Sequence, residues 1–136
     1  MEPNDALVEM KRACQALSGG LSWEWDGRFS AALAVVKDPD HHTVLPAVAA
    51  QLPHAWDAKS IRGAPQRLVS LIGKFGGIHP GQQLLTAAPD ADPLLFALWW
   101  PWGGGDTFSL RVTCLVEAPE AAALEPLATL RACFGV

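Results

Sequence analysis

Apolar positions recur every three or four residues at the start of the chain. Leu7, Met10, Cys14 and Leu17 fall on one helical face, and Lys11 and Arg12 fall on the other. Pro3, Asn4 and Asp5 open this predicted helix and Gly19-Gly20 ends it. The period then shortens to two in Leu21-Ser22-Trp23-Glu24-Trp25. Asp26-Gly27 follows, and then the run Arg28 to Val36. Asp-Gly between two such runs is a strong hairpin signal, so 21–25 and 28–36 read as paired strands. The alanine content of the second run leaves a short helix capped by Asp26 as the rival reading.

Lys37 to His42 reads as a polar loop, and Thr43 to Leu52 as a short helix starting near Pro46 and ended by Pro53. Residues 54–64 show no clear period and are expected to be irregular or partly helical. Pro65 occupies a favoured first helical position, and Leu68, Leu71, Ile72 and Phe75 form the stripe of the helix behind it. Gly76-Gly77 stops that helix, and Gln82 to Ala87 reads as a strand.

The last third carries the clearest pattern. Leu94 to Trp102 and Thr107 to Val116 flank Gly103-Gly104-Gly105-Asp106 as the two arms of a hairpin. In the returning arm Phe108, Leu110, Val112, Cys114 and Val116 alternate with Thr107, Ser109, Arg111, Thr113 and Glu117. One face therefore packs on a core and the other meets solvent or a partner. A last helix is expected over Pro119 to Cys133, with Leu124, Leu127, Leu130 and Phe134 inward. The sum is an α+β, two-layer domain over residues 1–136. An antiparallel sheet of about four to five strands would carry helices packed on one face.

Composition narrows the functional classes. Half of the 136 residues are apolar and only 18% are charged, which marks a globular chain. The net charge of −4 lacks the basic face that sequence-independent nucleic-acid binding needs, so no nucleic acid is expected. No apolar stretch approaches the roughly 18 residues of a membrane span, so no membrane partner is expected. Cys14, Cys114 and Cys133 form no CxxC pair, sit in apolar contexts and read as reduced core thiols, which favours a cytoplasmic setting. The chain has six tryptophans and no tyrosine, so a phenol cannot serve as a general acid or base.

Candidate chemistry is sparse. Trp99, Trp100 and Trp102 stand at the hairpin tip, with Trp100 and Trp102 on one face and Trp99 and Pro101 on the other. Either these rings fold back to cap the core, or they form a contact surface together with the polar sheet face that carries Arg111. The partner of such a surface would be another protein or a second copy of this one.

Between Asp57 and Asp90 there is no acidic residue, yet Lys59, Arg62, Arg67 and Lys74 fall there. A pocket between sheet and helices lined by Arg62, Arg67 and His79 would then take an anionic ligand, which is the alternative reading. Asp38-Pro39-Asp40-His41-His42, with His54 and Asp57, has metal-ligand chemistry at poor spacing, and no metal is expected there. Gly73 to Gly81 follows a helix instead of preceding one, so it is not a phosphate loop. No nucleophile stands beside a recognisable base, and no cofactor motif is present. The expectation is a small, non-enzymatic binding protein, with whether it is an enzyme left open.

Overall fold

The computed structural model describes residues 1–37 and 39–136. Helix α1 (Pro3–Ser18) leads into strands β1 (Glu24–Asp26) and β2 (Ala31–Lys37), followed by helix α2 (His41–Gln51) and strand β3 (His54–Trp56). A 3₁₀ turn at Ile61–Gly63 precedes α3 (Gln66–Gly73). The meander β4 (Gln83–Thr86), β5 (Leu94–Pro101) and β6 (Thr107–Leu115) completes the sheet. The chain closes with α4 (Pro119–Ala122) and α5 (Pro126–Phe134). Among the described residues the strands form one six-stranded sheet, in the order β1-β2-β6-β5-β4-β3, with every pairing antiparallel.

The α+β class and both expected hairpins are present. The sheet has six strands, one more than the upper end of the four to five read from the sequence. The addition is β3, three residues between Pro53 and Asp57, too short to display a period. The expected last helix is two helices. Glu125 takes a left-handed conformation (φ 53°) ahead of Pro126 and breaks it.

The layering also differs. Along β5 the residues Leu95, Ala97 and Trp99 pack with Met10, Cys14 and Leu17 of α1, Val48 of α2, and Leu130 and Phe134 of α5. The alternate residues Leu94, Phe96 and Leu98 pack with Leu68, Leu71 and Ile72 of α3. Helices therefore cover both faces, not one. The cause is β5 itself, whose residues from Leu94 to Trp99 are all buried, so neither of its faces can be left to water.

Trp99 is 2% exposed and stacks on Phe108 with ring centroids 4.7 Å apart. It belongs to the helical core, so it is unavailable as a contact residue. Trp99→Ala should cost about 3–5 kcal/mol of unfolding free energy, as large-to-small core changes do, read from urea denaturation. A cost below about 1 kcal/mol would show the site to be peripheral to the core.

Candidate functional site

The sheet face that carries α3 is only partly covered. Cross-strand register runs three rows across this face, the first two from β2 through β6 to β5 at the edge of the covered part: Leu33–Arg111–Leu98, Val35–Ser109–Trp100, and Lys37–Thr107. The third row ends at Trp102, whose backbone N–H donates to the Thr107 carbonyl at 2.7 Å. Glu24 pairs with Leu33 and extends the first row to the sheet edge. α3 packs over Leu84, Phe96 and Leu98. Val35 is 43% and Trp102 51% exposed.

Arg111 sits in the middle of this half, and its charge is fully accounted for. Its Nε donates to Asp26 Oδ2 at 2.9 Å, with the two side chains only 15% and 14% exposed. The guanidinium lies 5.0 Å from the ring centroid of Phe29 and 4.8 Å from that of Trp100. Cation–π contact and ion pairing together make a half-buried arginine tolerable. Burial works against ionised Asp26. The hydrogen bond and charge of Arg111, with the N–H groups of Arg28 and Phe29, overcome it and hold the carboxyl below its ordinary value.

The turn between β1 and β2 delivers Phe29 to this cluster. Asp26 Oδ1 accepts the Arg28 N–H at 3.0 Å and tightens the turn. Ser30 adopts φ 49°, left-handed for a residue other than glycine, and its carbonyl accepts the Thr113 hydroxyl at 2.7 Å. Phe29 then stacks on Phe75 at 5.3 Å and meets Trp100 edge-on at 5.7 Å. The hydrophobic pattern alone puts 28–30 inside the strand, whereas β2 begins at Ala31. No pattern distinguishes a strand phenylalanine from one folded over the sheet, so Phe29 carried no signal.

Trp100 is half-buried under the Phe29–Phe75 pair, and Trp102 lies in the open with its Nε1 donating to Ser109 Oγ at 2.7 Å. Arg62 is exposed on the 3₁₀ turn, and His79 is exposed in the loop before β4, its N–H donating to Gln82 Oε1. Arg67 donates to the Glu117 carboxylate and to the carbonyls of Pro89 and Ala91, with Asp92 at 3.9 Å. Two carboxylates already neutralise it, so the expected pocket of Arg62, Arg67 and His79 does not form around a free arginine.

Asp38 of the acidic-histidine cluster lies outside the described residues. His41 and His42 begin α2 with their rings 3.9 Å apart, while His54 is on β3. Among the described residues no three His, Cys, Asp or Glu side chains are grouped to hold a metal ion. Burial raises the Cys14 thiol and pushes Cys114 up to about 12, so both stay protonated and unreactive near neutral pH. No described helix is long and apolar enough to cross a membrane.

Comparison of the chain with models of protein families, with curated proteins and with solved structures finds no match.

The ion pair makes a pH-dependent prediction. A carboxyl that titrates lower in the folded state adds stability above the ordinary carboxylate range, and that stability is lost as pH falls through the folded value. Asp26→Asn should cost on the order of 2 kcal/mol near pH 7, between the values for exposed and buried pairs. The deficit relative to wild type should shrink as both proteins are taken to acid pH. Denaturation at several pH values reads this directly, and a deficit that does not change with pH would show that the pair is not what lowers Asp26.

Proposed function

We propose that this is a non-enzymatic binding protein whose working surface is the open half-sheet, and that the partner it fits first is a second copy of itself. One observation carries the reading. Val35 and Trp102 are exposed on one sheet face, on either side of Ser109, beside the half-buried Leu33 and Trp100. A contiguous aliphatic and aromatic surface on a rigid sheet is what protein interfaces use as a centre.

Two further features support self-association. The edge strands β1 and β3 have three residues each, which disfavours pairing at an edge and favours packing through the face. Charge on the face is also self-complementary. Glu24 lies beyond Leu33 at one end and Lys37 beyond Val35 at the other, both exposed. A two-fold axis near Val35 sets each lysine towards the glutamate of the other copy, as an isologous contact requires.

Sedimentation velocity over a range of concentrations tests this. The wild type should dimerise, and Val35→Asp should weaken the dimer by about tenfold or more while the monomer stays folded, because a charge is then placed at the interface centre. Lys37→Glu should weaken it too, and adding Glu24→Lys should restore it. A monomer at every concentration, or a Val35→Asp dimer as tight as wild type, would overturn the reading.

A further inference from the structure

A separate concavity lies at the other end of the same face, between α3, the β1–β2 turn and the ends of β5 and β6. Its volume is about 440 Å³, inside the range of roughly 300–1,000 Å³ common for small-molecule sites. Leu71, Phe75, Phe29, Phe96 and Leu115 supply its apolar lining, with Phe29 and Phe75 stacked on each other as one continuous aromatic wall.

The polar groups of the cleft are unequal. The Thr113 hydroxyl is occupied by the Ser30 carbonyl, and the Cys114 thiol is protonated. Arg28 and Lys74, both exposed, remain among the lining residues. Arg12, Arg67 and Arg111 each face a carboxylate. Among the described residues neither Arg28 nor Lys74 forms an ion pair, and no carboxylate lines the cleft. The Arg28 guanidinium rests over the Phe29 ring, 4.9 Å from its centroid, directly beside the apolar wall. The placement of Lys74 after the last turn of α3 suits the helix dipole. The dipole does not account for Arg28, which is on a different element.

We propose that this cleft binds a small amphiphilic monocarboxylate, with its apolar body against Phe29, Phe75 and Leu71 and its carboxylate between Arg28 and Lys74. The apolar lining supplies the affinity, and the two cations of the lining, neither in an ion pair, select an anionic head over a neutral one. The site shares no residue with the three rows of the proposed interface and stands whether or not the protein dimerises.

Isothermal titration calorimetry with octanoate, and with octan-1-ol as a neutral body of the same length, tests it. Octanoate should bind saturably at one site per chain and more tightly than octan-1-ol. The double variant Arg28→Gln/Lys74→Gln, altered only at exposed positions, should lose about tenfold in octanoate affinity, as two solvent-facing charge contacts would give, with octan-1-ol binding unchanged. Phe75→Ala should weaken both. The proposal falls if octanoate shows no saturable binding, if the two probes bind equally, or if the double variant binds octanoate as wild type does.

Discussion

Strand β5 is buried on both of its faces, and the rest of the architecture answers to that. Its alternate residues form two apolar surfaces, each of which must be kept from water. α1, with 16 residues, is about 24 Å long at 1.5 Å per residue, and it shares its face with α2 and α5. α3 has eight residues, which makes it about 12 Å long and 10 Å wide. A six-stranded sheet is about 24 Å across at 4.8 Å per strand spacing. In whichever direction it lies, α3 covers β4 and β5 and leaves the β1, β2 and β6 half without a helix.

That shortfall explains the chemistry of the open half. A side chain there is neither deep in a core nor free in water, and Arg111 suits that position only because it is matched. Asp26 neutralises it, and Phe29 and Trp100 cover the faces of its guanidinium. The β1–β2 turn does the covering, held by the Asp26 side chain at one end and by Thr113 at the other. Beyond the reach of Phe29, Val35 and Trp102 stay exposed. The proposed interface and the proposed carboxylate cleft both trace to one short helix, one on each side of the aromatic cluster.

Much of the fold was legible in the chain. The α1 stripe, the Asp26-Gly27 hairpin, the α3 stripe and the alternation of β6 all describe elements that form. The opposite faces of Trp99 and Trp100 follow from the two-residue period alone. β3 was hidden because three residues cannot show a period, and the break at Glu125 depends on a backbone conformation with no composition cue. The single helical layer was a misreading of a visible signal. An unbroken apolar run such as Leu94 to Trp99 marks a strand covered on both sides. Within the site, Arg111 was identifiable from its place among small polar residues. Its pairing with Asp26, 85 positions away, was not, because only the register of β1, β2 and β6 brings the two together.

The central claim is that the face α3 fails to cover is the face another copy covers. It is tested most directly by isotope-filtered nuclear Overhauser spectroscopy on a mixture of labelled and unlabelled protein. The account predicts contacts between copies from the Val35 methyl groups to Leu33 and to the indole of Trp102. Contacts between copies confined to the helical face, or none at all, would contradict it.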